Sequence, residues 1–431
     1  MRESKDVLVI GAGVAGATVA ERLSRDGRQV HLIEKQDKIG GRVAEMGCKA
    51  TDTCLRCNVC VANEVLRTVA ATSNIHIHTR TELTRLEENS LRESTNGSRY
   101  TATLHHRPSF IDRQKCTGCM ACIAACPEKC INVPQIPFSP LVPVIEYTSC
   151  RRSKGSECSV CKSVCPFGAI DFKENDSQSR IEVNSVVVAA GYEPYNPLEN
   201  ASYGYGKATN IISGVEAERQ LATQHRITRP SDGEVPNRVA FVQCVGSRSE
   251  EAYLRAEDTD YCSAVCCSYA LRMAQLLIHQ NNESEVTIFY MDIQNFGKDF
   301  NRFYNKCKET MTFIRSRPYE IREGEKGGLL VKYTPQSATE ETDTAVCEQE
   351  FDLVILSVGI RPNPDVLRLA ESLKVPIDEH GFLGFKGALP LPQMQRDGIY
   401  AVGACESPKD IASCIAQAEA VSAAIVNGGQ Y

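Results

Sequence analysis

No apolar run in the sequence approaches the roughly 18 residues that suggest a spanning helix, so membrane contact is expected only through a partner. Long Lys/Arg runs are missing too, and the formal charge is −6 at pH 7. A nucleic-acid surface needs a basic stripe to meet phosphates, and that class is excluded; acidic substrates are not. Tryptophan is absent, and nothing follows from that. The N-terminus imitates a secretory signal, with Arg2 and Lys5 ahead of the apolar VLVIGAGVAGATVA, but its glycines follow a different spacing rule. Cysteine is what the chain has in excess, 21 in 431 residues. Without an export signal, these point away from disulfides and toward metal or redox chemistry in a reducing compartment, the cytoplasm. The length predicts two or three compact units, not all contiguous.

DVLVI reads as a strand, GAGVAG follows directly, ATVAERLSRDG has helical spacing, and QVHLIEK is a second strand ending in an acid. In such a βαβ unit Gly11 allows the tight turn, Gly13 lets backbone approach a pyrophosphate, and Gly16 lets helix and strand pack closely. The helix N-terminus then faces the phosphates. Glu34, 18 residues after Gly16, stands where a carboxylate accepts hydrogen bonds from ribose hydroxyls, and Lys35 is assigned to the same site. Glycine-rich turns also arise for purely structural reasons; the flanking strands and the acid make this one a dinucleotide fingerprint.

Both ends of the chain resemble the two-dinucleotide-binding-domain, thioredoxin-reductase-like flavoproteins. The resemblance rests on GGRV, with Gly40, Gly41 and Arg42, and on GIYAVGACESPKDIASCIAQAEAVSAAI, where strand, Gly403, loop and helix follow in order. It implies FAD, with GGRV backbone on the pyrophosphate, Gly191 at the end of SVVVAAG in the same site, and the C-terminal segment closing over the flavin. Such flavoproteins carry an Asp after the Gly-Ala pair. Here Cys405 and Glu406 follow, and Glu406 is the expected substitute. Lys409, with Asp410 beside it, falls in the loop expected at the isoalloxazine ring, where a cation near N1 or N5 stabilises reduced flavin. Lys298 in NFGKDF has the same alternatives, a flavin-side cation or a solvated loop.

The cysteines fall into groups. KCTGCMACIAACPEKC carries Cys116, Cys119, Cys122 and Cys126 followed by Pro127, the run of bacterial two-cluster ferredoxins. Cys150, Cys158, Cys161 and Cys165, followed by Pro166, form a second run with a wider first gap. In ferredoxins the fourth cysteine of each run ligates the other cluster. That rule gives one 4Fe-4S cluster to Cys116, Cys119, Cys122 and Cys165 and the other to Cys150, Cys158, Cys161 and Cys126. A zinc knuckle is the alternative. A third group, Cys244, Cys262, Cys266 and Cys267, occupies a strand-to-helix turn where glycines of a second dinucleotide fingerprint would stand. It reads as a cluster site with unusual spacing, or as small core residues. In GCKATDTCLRCNVC, residues 47–60, Cys48, Cys54, Cys57 and Cys60 suffice for a fourth cubane; a cluster with outside ligands or a zinc site are the alternatives. Cys130, Cys307, Cys347, Cys405 and Cys414 read as core residues, with Cys405 near the flavin. The eight histidines show no metal spacing and read as structural or surface residues. The stretch 334–350 reads as a hairpin tip and 226–238 as an interdomain linker.

The runs VAFVQCVGSR, YCSAVCC and VTIFYMDIQNFGKDFNRFY, with ESPKDI and the ferredoxin insert, resemble the A subunit of heterodisulfide reductase from residue 5 to 427. The resemblance implies the flavin hub of a soluble multi-subunit complex, a cluster on Cys244, Cys262, Cys266 and Cys267, and in several members flavin-based electron bifurcation. The family's extra N-terminal cluster domain and C-terminal ferredoxin domain are not in this sequence, so electron transfer is the first expectation and bifurcation the second.

The expected fold is α/β: a two-dinucleotide-binding-domain flavoprotein with an inserted α+β ferredoxin domain. The FAD domain is expected from 1–107, 173–235 and 347–431, the insert from 108–172, and a degenerate NAD(P)-type domain from 236–346. Expected partners are other redox subunits, of the heterodisulfide reductase B and C type, of hydrogenase or dehydrogenase type, or a ferredoxin, in a hetero-oligomer. Two other functions compete: a non-bifurcating adaptor in a quinone-linked or aromatic-ring-reducing complex, and an NAD(P)H:disulfide oxidoreductase. The last requires a second glycine fingerprint, which is absent.

Overall fold

The computed structural model describes residues 6–89, 97–112, 114–133, 142–249, 259–325, 327–336, 345–384, 394 and 396–428. Continuous apolar runs such as Val7–Ile10 and Ser185–Val188 become central strands of a five-stranded parallel sheet, in the order Ile399–Ala401, Ser185–Val188, Val7–Ile10, Val30–Ile33, Ile75–His78. Parallel strands are covered on both faces, which is why they do not alternate in polarity. Helices Val14–Arg25, Val59–Ala71 and Ile411–Val426 cover one face through Val19, Leu66, Val69, Ala418 and Val421. The other face carries an antiparallel meander, Thr81–Glu88, Tyr100–His106 and Ser177–Val183, and the helix Asp365–Leu373.

A second parallel sheet has the order Ile211–Ser213, Leu353–Val358, Arg238–Val245, Glu285–Tyr290, Thr312–Arg315. Helices Gly214–Gln224, Cys266–Gln280 and Phe300–Thr310 pack on one face, and a three-stranded antiparallel sheet, Glu320–Glu323, Leu329–Tyr333 and Cys347–Phe351, on the other. Two of the five parallel strands come from outside 236–346. Boundaries at 235/236 and 346/347 therefore cut through one hydrogen-bonded sheet. An apolar strand such as LVILSV looks alike in either unit, and only its pairing assigns it. For the same reason 226–238 is not a linker between units: it joins the helix Gly214–Gln224 to the strand Arg238–Val245 inside one of them. Tyr192–Pro194 pairs antiparallel with Ile360–Pro362 where the chain crosses between the units.

The insert replaces a hairpin tip. His106 and Ser177 are register partners in the meander, so the chain leaves and re-enters at one ladder rung. Between them lie the short helices Ala121–Ala125 and Val160–Ser163 and the ladder Ile131–Asn132 with Val144–Ile145. Phe110, Ile111, Ile131, Ile145 and Ile170 form a small core with the cysteines. Of the stretch expected as a hairpin tip, residues 337–344 lie outside the described residues.

Candidate functional site

A cleft enclosing about 2240 Å3 of open space, mouth included, runs from the C-terminal ends of the first sheet's strands to the second unit, the usual ligand position in open α/β sheets. The fingerprint glycines separate by role. A Cβ on Gly11 would stand 2.3 Å from the Ala189 carbonyl oxygen, and one on Gly16 would stand 2.0 Å from that of Gly11. The fold itself therefore requires both. A Cβ on Gly13 would meet no atom within 4 Å and would project into the cleft, where a pyrophosphate approaching the helix N-terminus would lie. Gly41, Arg42 and Gly191 also line the cleft, whereas Gly40 shapes the turn from behind, its N–H donating to Ala12 O at 2.7 Å.

Glu34 lines the cleft, but its carboxylate already accepts the Ala12 N–H and the Gln36 N–H, each at 2.9 Å. Its remaining lone pairs are what a ribose would use. Lys35 is ion-paired with Asp365, and Arg42 with Glu193 at 2.6 Å.

At the far end stand Lys409, Asp410, Cys414, Tyr269, Arg272, Lys49, Glu218 and Cys57. Lys409 Nζ lies 2.5 Å from Ser407 Oγ and 3.5 Å from a Glu406 oxygen. Asp410 caps the helix Ile411–Val426 by accepting the Ser413 N–H at 2.8 Å. Glu406, expected to contact the cofactor, is turned inward onto Gln417 and is not among the cleft residues. Gly403 is likewise set back, donating its N–H to Gln417 Oε1 at 2.8 Å. Cys405 is buried beneath the sheet, away from the cleft; Cys414 is the thiol that lines it, pushed up to about 12 by burial. Lys298 is exposed and does not reach the cleft.

The far end also holds residues that sequence reasoning missed. Lys49, 2% exposed, pairs with Glu218 at 2.6 Å and donates to Gly47 O at 3.0 Å. Arg272 Nε donates to Leu55 O at 2.8 Å. A lysine between cysteines and an arginine on an amphipathic helix carry no signal of burial until the two units are docked.

In the insert the two cysteine runs interleave. One cavity is lined by Cys116, Cys119, Cys122 and Cys165, and a second by Cys126, Cys150, Cys158 and Cys161. The pairing of runs follows from two similar turns: Cys126-Pro127 and Cys165-Pro166 are each followed by a left-handed residue, Lys129 at φ 51° and Gly168 at φ 58°. Cys130, expected as a core residue, also lines the second cavity, its sulfur 3.5 Å from that of Cys126. Burial raises the Cys122 and Cys161 thiols, Cys161 to about 11. Among the described residues no three His, Cys, Asp or Glu side chains already stand around one point as ligands of a single metal ion.

The third group gathers where the second sheet's central strand meets the helix Cys266–Gln280. Cys244 has φ 59°. Burial raises the Cys266 thiol well above its usual range, and repulsion from Cys244, Cys267 and Cys262 adds to it; Cys267 is pushed up to about 12. The turn that would cradle a second dinucleotide's phosphates is filled: a Cβ on Gly246 would stand 2.0 Å from the Tyr195 ring, over which the Arg361 guanidinium lies at 4.4 Å.

The stretch 47–60 repeats the backbone of the insert's first run. In Cys116-Thr-Gly-Cys119-Met-Ala-Cys122 the left-handed residues are Gly118 (φ 71°) and Met120 (φ 61°), and a helix starts at Ala121. In Cys54-Leu-Arg-Cys57-Asn-Val-Cys60 they are Arg56 (φ 54°) and Asn58 (φ 62°), and a helix starts at Val59. Non-glycine residues in this region cost roughly 1–2 kcal/mol each and persist where something over-determines them. Cys57 lines the cleft, while Cys48, Cys54 and Cys60 are exposed.

Of the eight histidines, read from sequence as structural or surface residues, four form a ladder. His31 and His76 are cross-strand partners with ring centroids 5.2 Å apart, His31 Nδ1 lies 3.3 Å from His78 Nε2, and His106 follows at 6.0 Å from His78. Neighbours on separate strands gave no spacing to read.

Residues 9–56 match the NAD(P)-binding Rossmann-like domain family and residues 110–132 the 4Fe-4S binding domain family. Among solved structures, thioredoxin reductase from Lactococcus lactis aligns over 99% of both chains with a TM-score of 0.52 at 14% identity. The T. acidophilum thioredoxin reductase aligns over 98% of both, with a TM-score of 0.51 at 14% identity. The shared fold is thus that of two-dinucleotide-domain reductases, with the insert added. The A subunit of the H2:CoB-CoM heterodisulfide,ferredoxin reductase from Methanothermobacter thermautotrophicus is 34% identical over 96% of this chain and 62% of its own length. The iron-sulfur A subunit of the CoB–CoM heterodisulfide reductase from Methanocaldococcus jannaschii is 33% identical over 98% of this chain and 64% of its own. Spanning just under two thirds of these relatives, the chain is a homologue of the heterodisulfide reductase A subunits.

Proposed function

We propose that the chain is an FAD- and iron–sulfur-containing electron-transfer subunit of a heterodisulfide-reductase-type oxidoreductase complex. The observation that carries this reading is the interleaving of the insert's two cysteine runs onto two cavities, the ligand exchange of two-cluster ferredoxins. The cleft supplies the second half. Gly13 open to it, Gly41, Arg42 and Gly191 along it and Glu34 at its end fit a dinucleotide, which as FAD would exchange electron pairs at the Lys409 end. Lys409 would hold positive charge beside the ring, and Asp410 would fix the helix start beneath it. The filling of the Gly246 turn by Tyr195 supports FAD as the single dinucleotide and disfavours an NAD(P)H:disulfide oxidoreductase.

Cys244, Cys262, Cys266 and Cys267 are the proposed ligands of a third cluster. Cys48, Cys54, Cys57 and Cys60 are those of a fourth, on the strength of the left-handed pattern shared with residues 116–122. Redox subunits or a ferredoxin would exchange electrons with the clusters, in the cytoplasm. In its finer form the reading has the flavin split electron pairs.

The test is cofactor content of the anoxically purified protein: one FAD and about sixteen irons, four cubanes of four. Eight irons would overturn both clusters outside the insert. Strongly crossed one-electron flavin potentials support bifurcation, and ordered ones refute it. Rapid bleaching of the flavin by NADH with no partner present would revive the disulfide oxidoreductase.

A further inference from the structure

Beneath the third cysteine group lies a polar side chain with nothing to bond. Gln243 is 2% exposed, and neither its amide nitrogen nor its amide oxygen has a hydrogen-bond partner among the described residues. Leaving a buried amide unpaired costs its desolvation with nothing to offset it, and native chains rarely retain one without a use.

Its position narrows that use. Gln243 sits on the central strand Arg238–Val245, next to Cys244 and on the same face as Phe241 and Val239. Both of those pack into the core under the helix Cys266–Gln280. The first turn of that helix straddles the strand. The Cys266 sulfur reaches Val358 O at 3.5 Å, at the end of the neighbouring strand on one side. The Cys267 sulfur lies 4.0 Å from Asp292 O, just past the strand on the other. Gln243 therefore stands on the strand whose two neighbours these thiols reach, with Cys244 next to it in sequence. The ladder is irregular here as well, its register shifting between Val242 and Val245.

We infer that Gln243 is a hydrogen-bonding residue of the group held by Cys244, Cys262, Cys266 and Cys267, its carboxamide N–H donating to a sulfur of an iron–sulfur cluster there. The inference rests on the proposed third cluster. Sulfurs carrying negative charge are the acceptors this arrangement needs. A donor among them stabilises the reduced, more negative cluster, and hydrogen bonds to the sulfurs are one of the levers on cluster potential. Neutral glutamine suits such a pocket, where a lysine would add a full charge and a leucine would leave the sulfurs without a donor.

The test compares the native holoprotein with Gln243→Met and Gln243→Glu. Iron and FAD are counted, and each cluster's potential is followed by anoxic titration read by electron paramagnetic resonance. Gln243→Met should keep the native iron content and shift one cluster to lower potential, with the two insert clusters unmoved. Gln243→Glu should shift the same cluster further or release about a quarter of the iron. Full iron with all potentials unchanged in both variants overturns the inference. A second readout needs no variant: in native protein labelled with 15N at glutamine side chains, the reduced third cluster should show hyperfine coupling to nitrogen. Its absence also overturns the inference, even if both variants fail to fold. Native protein with iron for the insert alone would instead bring down the third cluster itself, and this inference with it.

Discussion

Gly13→Ala should separate cofactor binding from folding. Gly13 has φ −73° and ψ −174° as the residue before the helix Val14–Arg25, a backbone any residue adopts, and its added methyl meets nothing within 4 Å. The cofactor-free fold should keep its stability to within about 0.5 kcal/mol. The methyl nevertheless projects to where the proposed cofactor's pyrophosphate would approach. Holding the phosphates off by a methyl radius forfeits one or two charge-assisted hydrogen bonds, each worth roughly 1.5–3 kcal/mol, so about 3 kcal/mol, or ~100-fold in FAD affinity. Gly16→Ala is the control: its methyl would sit 2.0 Å from Gly11 O, and such overpacking costs typically 1–3 kcal/mol in the fold itself. Urea unfolding of the flavin-free protein and fluorescence titration with FAD measure both quantities. Gly13→Ala binding FAD as tightly as native protein would refute the placement of the pyrophosphate.

Cys165→Ser should remove about four irons and the signal of the cluster on Cys116, Cys119 and Cys122, leaving the partner cluster's signal intact; loss of the other cluster would reverse the assignment. Cys57→Ser should likewise cost about four irons while FAD is kept, and unchanged iron would refute the fourth cluster. Lys49→Met strands the buried Glu218 carboxylate and should destabilise by about 3–5 kcal/mol, much of it recovered in Lys49→Met/Glu218→Leu, as urea unfolding of the three proteins will show. For His78, burial and the neighbouring His31, His106 and His76 push the imidazole down from 6.5 to about 4. The folded chain refuses a proton that the unfolded chain accepts, so this contribution to stability is present above pH 6.5 and lost as pH falls from 6.5 toward 4. Allowing for its partial exposure, the loss is about 1–2 kcal/mol, and His78→Gln should flatten the stability profile over that window.

The fingerprint turn was legible because each glycine answers a separate local demand, and the ferredoxin runs because thiolate spacing is written directly in the chain. Both survive without knowledge of what packs around them. Two of the second sheet's strands, Ile211–Ser213 and Leu353–Val358, were misassigned because LVILSV and SVVVAAG obey the same burial rule, and only pairing partners distinguish them. Glu406 fits the same pattern: its place in sequence matches a cofactor contact, while Gln417, on the helix that follows, turns its carboxylate inward. Gln243, Lys49 and the histidine ladder depend on neighbours distant in sequence that no period or motif brings together.

The segment 45–57 leaves the first unit, yet its polar groups are fastened to the second: Glu45 to Arg219 at 3.0 Å, Lys49 to Glu218, Leu55 O to Arg272, and Arg56 to Asp299. A Cβ on Gly47 would stand 2.5 Å from Leu221, so the segment also lies flat on that surface. Mechanically this is a latch. Turning one sheet against the other would have to break a buried ion pair and a half-buried guanidinium contact together. Single-electron hops weaken steeply with separation. With the proposed flavin and clusters in place, a latched junction would hold the gaps between the cleft, Cys57 and Cys266 constant, and this chain's timing would be set by its redox neighbours and not by its own movement.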